Sequence, residues 1–381
     1  FCQEITGIPI IKNFPKSEYR ASTQNWSICQ GSEGYMYFGN NQGILQYTGY
    51  DWQLVEMSNY SIVRCVFPGG KDTIFVGAFN ELGVLSHNKS GYPEFTSWNP
   101  KIPTRYQDYG EIWRIHKIDG LIVFQAFKAL LIFKNDTFFK AILPDNEFRF
   151  SYVIQNKIYI QEKNKGLMVL ENYELNPVEG GDFYKTMEIW SLFEFSKNKY
   201  LVGTQYNGLF ILENGRSQPW NSQANQFIRL NTLFNGLKLE NGQFAFGTVL
   251  NGVIITDSQG NIQQILNKPT GIQNNTILSM FEDNLKNIWL GLDNGIDYIK
   301  INTPVSSLRK TGGFGTGYCS LVHNNIMYAG TNQGLFKLDI GNHNPFPKND
   351  FRLIAGTEGQ VWSLTSIGEY ILCGHNAGLF V

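Results

Sequence analysis

A short motif returns along almost the whole chain: a glycine, a few mostly polar residues, then Gly followed by Leu, Ile or Val. The clear copies are GNNQGI (39–44), GTQYNGL (203–209), GTVLNGV (247–253), GLDNGI (291–296), GTNQGL (330–335) and GHNAGL (374–379), with looser ones at 77–84 and at Gly166-Leu167. The second glycines fall at 43, 83, 166, 208, 252, 295, 334 and 378, with a degenerate copy near Ala129. From 43 to 378 is 335 residues in eight steps, a mean period of about 42. That period, with four short strands per unit, marks a β-propeller. In such a fold, function sits on the loops.

Residues 188–220 show one unit. EIWSLFEF (188–195) reads as an apolar, aromatic strand, and Ser196 to Asn198 as a turn. KYLVGT (199–204) reads as the second strand, LFILENG (209–215) as the third and RSQPW as a ragged fourth. Strands covered on both faces by neighbouring sheets carry continuous apolar runs rather than alternation. The second glycine of the motif is expected at positive φ, in the turn between second and third strands.

The first strands align as NWSIC from Asn25, IVRCV from Ile62, IWRIH from Ile112, RFSYV from Arg149, IWSLF from Ile189, RLNTL from Arg229 and ILSMF from Ile277. An eighth unit starts at Tyr318, and a ninth at Val361 runs through its third strand. The expected fold is all-β: a seven-bladed propeller of four-stranded blades over 1–309, followed over 310–381 by the start of a second propeller. IPIIKNF (8–14) is expected to close the ring as the outer strand of the seventh blade, hiding its edge. A single ring of eight or nine blades is the alternative. The seam favours seven, because Pro304 and the cluster Gly312, Gly313, Gly315 and Gly317 suit a linker.

Composition excludes several classes. Aromatics are 14% and charged residues 17%, a mix that suits stacked sheets and argues against disorder. Net charge is −1, so no chain-wide basic field invites nucleic acid. No apolar run reaches the roughly 18–20 residues of a membrane span. The chain starts at Phe1, and the expectation is that a secretion signal once preceded it. Phe1 before Cys2 argues against a lipid anchor, since such sites want a small residue there. Cys29, Cys65, Cys319 and Cys373 lie in strand-like segments without CxxC spacing, and read as buried apolar residues rather than disulfides or metal ligands.

The copies TILSMFEDNLKNIWLGLDNGIDYI (276–299), CSLVHNNIMYAGTNQGLF and VWSL…GEYILCGHNAGLF resemble the two-component-regulator propeller repeat of Bacteroidetes-type sensors. That repeat runs as an apolar strand and then D-x-x-G-x-x-W-[IV]-G-T-x-x-G-[IL]. The opening IPIIKNFPKSEYRASTQNWSI, with GYMYFGNNQGILQYTGYDW, is similar to the first blade of these sensors. The resemblance implies a periplasmic sensor region: two seven-bladed propellers, a Tyr-rich β-sandwich, a membrane span and a cytoplasmic kinase or helix-turn-helix output that regulates transcription. It implies an oligosaccharide as ligand, no catalysis and no cofactor. This chain departs by carrying no sandwich, span or output, so a membrane or nucleic acid would be met only through parts outside it. A polysaccharide lyase or hydrolase, a protein-interaction scaffold and a homodimer stay open as alternatives.

His87, His116, His323, His343 and His375 are scattered, and no HExxH, CxxC, Walker loop or GxSxG elbow occurs. GGFGTG (312–317) has the glycine density of a phosphate loop, but no Lys-Ser/Thr follows it. Glu282-Asp283 could serve as general acid and base, but reads better as turn chemistry at the end of a first strand. One pattern stands out. Ser27, Arg64, Arg114, Ser151, Ser191, Asn231 and Ser279 are polar inside apolar first strands, and Arg149 and Arg229 lie two residues before Ser151 and Asn231. First strands line a propeller's channel, so Arg64, Arg114, Arg149, Arg229, Asn231 and Tyr109 are the candidate ligand-binding residues, for an oligosaccharide with acidic groups. Tyr60, Tyr106 and Tyr152 are candidate faces for sugar rings. The competing reading has the serines bonding backbone and the arginines pairing with structural carboxylates.

Overall fold

A computed structural model describes residues 7–57, 59–307, 313–340 and 351–381. It contains nine antiparallel sheets, one per motif copy. The sheets span 25–56, 63–97, 112–142, 148–177, 189–219, 233–266, 277–300, 317–353 and 361–380. All are four-stranded and run in chain order except the seventh and the ninth. The ninth has three strands. The seventh gains Ile8–Phe14 beside Ile296–Lys300 as its fourth strand, and Ile8 and Pro9 in turn pair with Ser307 and Ser306.

Inner strands are buried on both faces, as at Met36–Asn40, Gly43–Tyr47, Phe244–Thr248 and Ile288–Leu292. The motif forms the turn into the third strand. Gly43 (φ +147°) and Gly208 (φ +90°) hold it in a conformation that a Cβ would strain. Gly83 departs from the expected turn role: it lies inside the strand Glu81–His87, where a Cβ would sit 2.1 Å from Thr96 O. Threonines before the turn fasten it, Thr204 and Thr248 each donating to a glycine carbonyl at 2.8 Å.

The chain divides into two compact units, Ile11–Asn302 and Phe1–Ile10 with Thr303–Val381. The sequence-based boundary at 309/310, with Gly312, Cys2 and His343, lies outside the described residues. Within Ile11–Asn302 the first strands touch in chain order, and the order returns to its start: Ile277–Glu282 packs on Asn25–Gln30. Ser279 Oγ donates to Asn25 O at 3.0 Å, and Asn284 N donates to Gln30 Oε1 at 2.9 Å. The closing strand is clamped by buried Asp297, which accepts from Asn13 Nδ2 at 2.7 Å and from Gln273 Nε2 at 2.8 Å. Cores lie between consecutive sheets, as with Phe75, Trp98, Phe124 and Phe133 between the second and third.

Two expectations about elements need correction. RLNTL is not a first strand. Residues Gln223–Asn231 form a helix, and the sixth sheet begins at Leu233. Ser222 caps the helix by accepting from Asn225 N, and Ala224, Phe227 and Ile228 form its buried face. IVRCV falls in step with the other first strands from Val63 rather than Ile62, which puts Arg64 level with Trp26 and Trp113, at an irregularity that every first strand carries.

Candidate functional site

That irregularity is a bulge. Pairing between first and second strands skips a residue after the strand's start in all nine sheets, for example between Asn25 and Ser27, Ile112 and Arg114, and Ile189 and Ser191. In the first seven sheets the skipped residues are Trp26, Arg64, Trp113, Arg149-Phe150, Trp190, Phe234 and Leu278. A bulge re-aims the side chain it displaces. Here the displaced side chains meet each other across sheets, at the end of the strands where the motif turns lie.

The result is an aromatic row. Trp26 lies 6.1 Å from Trp113, Trp113 5.8 Å from Phe150, Phe150 4.7 Å from Trp190, and Trp190 4.5 Å from Phe234, centroid to centroid. Phe127 stacks on Trp113 at 5.5 Å. Arginines clasp the row. The Arg64 guanidinium lies 4.0 Å over Trp26 and 4.9 Å over Trp113, and its Nε and Nη2 donate to Glu111 Oε1 at 2.9 and 2.8 Å. Arg114 sits 4.7 Å over Phe150 and donates to Trp113 O at 2.9 Å. Arg149 reaches Glu147 and Glu188 at 3.2 Å each and lies 5.5 Å over Phe127. Each arginine thus joins its own sheet to the next.

Three of the six candidate residues come together here: Arg64, Arg114 and Arg149. The others do not. Arg229 and Asn231 belong to the helix, where Asn231 Nδ2 donates to Phe227 O at 2.8 Å. Tyr109 is buried and donates to Asn99 Oδ1 at 2.6 Å, a packing role. Of the candidate sugar faces, Tyr60 is 80% exposed, Tyr106 packs on Phe138, and Tyr152 donates to Ile189 O. The small polar residues stitch sheet to sheet. Ser27 Oγ accepts from Val66 N at 3.1 Å, and Ser151 Oγ lies 2.8 Å from His116 Nε2. Asn235, not Asn231, is the sixth sheet's member of this set, and its Nδ2 donates to Leu278 O at 3.3 Å.

Burial and the neighbouring Arg114 charge lower the His116 pKa to about 3, so its imidazole is neutral at pH 7. Burial pushes the Cys65 thiol up to about 11. Neither group is poised for acid–base or nucleophilic work at neutral pH. No disulfide joins Cys29, Cys65, Cys319 or Cys373, and among the described residues no three His, Cys, Asp or Glu side chains could hold a metal ion. Four buried polar atoms of this region have no protein partner: Arg64 Nη1, Gln125 Nε2, Trp190 Nε1 and Ser191 Oγ. Buried donors without partners are rare and mark places where water or a ligand completes the bonding. The sequence marks Trp26, Trp113, Phe150 and Trp190 as aromatics that interlock neighbouring blades, but the bulge hides that they meet one another in a row at one end of the sheets. The row's signal was the recurring Trp or Phe after the first strand residue.

No family model matches the chain, and no curated protein matches it. Solved structures do. The extracellular domain assigned to a hybrid two component system of B. thetaiotaomicron superposes with a TM-score of 0.69 at 14% identity, covering 97% of this chain and 53% of that one. The WD40 β-propeller domain of Doa1 gives 0.59 at 10% identity, over 79% of this chain and 99% of that one. The fold is of the propeller type. Streptogramin B lyase gives 0.58 at 14% identity, over 77% and 98%. The chain therefore spans about half the length of the two-component relative, an extracellular domain of the kind that its repeats resemble. No helix among the described residues is long and apolar enough to cross a membrane.

Proposed function

We propose that this chain is the ligand-sensing, extracytoplasmic part of a transmembrane signalling regulator. Residues 1–309 make up a seven-bladed propeller and residues 310–381 the start of a second. The ligand face is the motif-turn end of the first propeller, and its ligand an oligosaccharide. One observation carries this reading. The bulged first strands assemble a row of aromatic faces, clasped by Arg64, Arg114 and Arg149, beside buried donors that lack protein partners. Flat apolar faces next to planar donors suit a sugar ring and its hydroxyl groups. Arg114, which no carboxylate engages among the described residues, is the donor for an acidic group. The periplasm is the setting that fits. The relay would require a ligand that favours one arrangement of the full receptor over another.

The test is a thermal-shift screen against neutral and uronic-acid oligosaccharides, since a ligand of the folded state raises Tm. We expect an acidic oligosaccharide to raise Tm in the wild type and not in Arg114→Gln. Absence of a shift across the whole panel overturns the reading. The propeller fold is also that of a lyase, which by itself assigns no activity here, and an enzyme acting on polysaccharides is the second reading to be tested. New reducing ends or unsaturated products on incubation with polysaccharides would establish it.

A further inference from the structure

At the motif-turn end, the seam between the fourth and fifth sheets holds a small cavity of about 250 Å³. One wall is the fourth sheet's motif turn, with Lys163 and Asn164, and the other is the segment 185–188 that leads into the fifth sheet. The walls are fixed from below. Gln161 is buried and commits its whole amide to backbone: Nε2 donates to Tyr184 O at 2.8 Å and to Met187 O, and Oε1 accepts from Ile189 N at 2.9 Å. Those bonds tie the segment 185–188 to the fourth sheet. On the other side Lys163 N donates to Glu147 O at 2.8 Å. The hollow is thus shaped before a ligand arrives, which spares a ligand the entropy of ordering it.

Its charge is tipped toward the cations. Arg149, in the wall, is held between Glu147 and Glu188 at 3.2 Å each, and Lys163 Nζ lies 3.8 Å from the same Glu147. Lys185 is exposed and its side chain has no ion pair or hydrogen bond among the described residues. Both carboxylates already hold Arg149, so Lys163 and Lys185 carry the charge left over. Thr186 and Asn164 are exposed too, and their side chains make no hydrogen bond among the described residues. Two ammonium groups, a hydroxyl and an amide therefore face the hollow without a hydrogen bond to the protein. At less than the roughly 300 Å³ where pockets begin to take drug-sized ligands, the volume suits one hydroxylated ring.

We propose that this notch takes one uronic acid residue, its carboxylate between Lys163 and Lys185 and its ring hydroxyls on Thr186 and Asn164. The site rests on the oligosaccharide reading and adds to it a second acid group beside the one given to Arg114. The ligand is then a glycan with acid groups on more than one of its sugars.

The experiment titrates the whole chain with D-glucuronate, D-glucose and D-glucosamine, one ring in anionic, neutral and cationic form, and follows binding by saturation-transfer NMR. Glucuronate should bind about tenfold more tightly than glucose, and glucosamine least. Lys163→Gln with Lys185→Gln should remove that advantage and leave glucose unchanged. Lys197→Gln alters an exposed lysine in the turn between Ile189–Ser196 and Lys199–Thr204, at the other end of the fifth sheet, and should change nothing. Thr186→Val should weaken glucuronate and glucose alike, by about threefold. Equal affinity for the three sugars, no binding of any, or glucuronate binding indifferent to the lysine pair would overturn the proposal. The lysine variant is also tested with the acidic oligosaccharide that raises Tm. If that shift is lost in Arg114→Gln and kept in full by the lysine variant, the notch proposal falls and the sensor reading stands. If no oligosaccharide binds while glucuronate binds through the lysines, the notch stands as a uronate site and the oligosaccharide reading falls.

Discussion

The seventh and ninth sheets start from nearly the same repeat and end in different environments. Ile277–Glu282, the first strand of the seventh, is buried over its first four residues, whereas Val361–Ile367 of the ninth is exposed at five of seven. Both carry the bulge and both carry the motif turn. Gly295 and Gly378 take positive φ at the same place. The repeat thus encodes a sheet, its turn and its bulge, while burial comes from what packs on either side. In Ile11–Asn302 the bulged residues bury one another in a row. In the eighth and ninth sheets their counterparts, Tyr318 and Trp362, stack at 4.8 Å and stay 41% and 53% exposed.

The sharpest break of that comparison is a pair of identical substitutions. Trp190 contacts Phe150 and Phe234, so Trp190→Ala should cost about 3 kcal/mol of stability, at the lower end for a large buried aromatic because it is partly exposed. Trp362 occupies the same bulge position with one aromatic neighbour, and Trp362→Ala should cost less than about 1 kcal/mol. Urea melts followed by tryptophan fluorescence would measure both. Equal losses would show that the repeat itself, not its neighbours, sets the energetics.

The arginine clasp comes next, because among the described residues it has no counterpart at Tyr318 or Trp362. Arg64 is only 12% exposed at its side chain and Glu111 28%, so the pair is largely out of water. Glu111→Gln leaves a stacked guanidinium without its counter-charge and should cost about 2 kcal/mol. Arg64→Met with Glu111→Gln should recover part of that loss, since an apolar side chain between two indoles needs no partner. A single Glu111→Gln variant as stable as the wild type would mean the charge is solvated.

How much of this was legible in the sequence follows from the same contrast. Strand positions were readable because Gly, Asn and apolar runs act locally: KYLVGT coincides with Lys199–Thr204, and IPIIKNF with Ile8–Phe14. Sites assembled from several sheets were less readable. Arg64 was placed in step with Ser27 and Ser279, yet it is the residue that the bulge expels, in step with Trp26 and Trp113. A one-residue bulge reverses which side chain faces which way, and nothing in IVRCV announces it. Arg229 and Asn231 were placed on a strand although Ser222 and the spacing of Ala224, Phe227 and Ile228 signal a capped helix. The repeat period outweighed that local signal.

Burial within Ile11–Asn302 has a pH signature. The folded His116 holds its proton only below about pH 3, while the unfolded chain takes one near pH 6.5. Between those values the unfolded state binds more protons, so stability is full above pH 6.5 and falls as pH drops, by up to about 1.4 kcal/mol per pH unit from this group. His116→Gln keeps a side chain able to bond Ser151 and should flatten that part of the acid profile in melts at pH 7, 5.5 and 4. An unchanged slope would place the imidazole in contact with water.

The smallest effect separates the two regions most cleanly, because it changes a single oxygen. Ser27 and Ser363 follow the bulged residue in the first and ninth sheets. Ser27 Oγ accepts from Val66 N at 3.1 Å and lies 3.3 Å from Val66 O, so it bonds both polar groups of one residue on the next sheet. Removing it leaves the Val66 amide without that acceptor, and Ser27→Ala should cost about 1 kcal/mol. Ser363 is exposed and makes no such bond among the described residues, so Ser363→Ala should stay within about 0.5 kcal/mol of the wild type. Native-state hydrogen exchange at the Val66 amide gives the direct reading: exchange there should accelerate in Ser27→Ala and stay unchanged in Ser363→Ala. If Val66 exchange is indifferent to both, the serine does not stitch the sheets together, and the serines that follow the bulges would have to be explained by the ligand face instead.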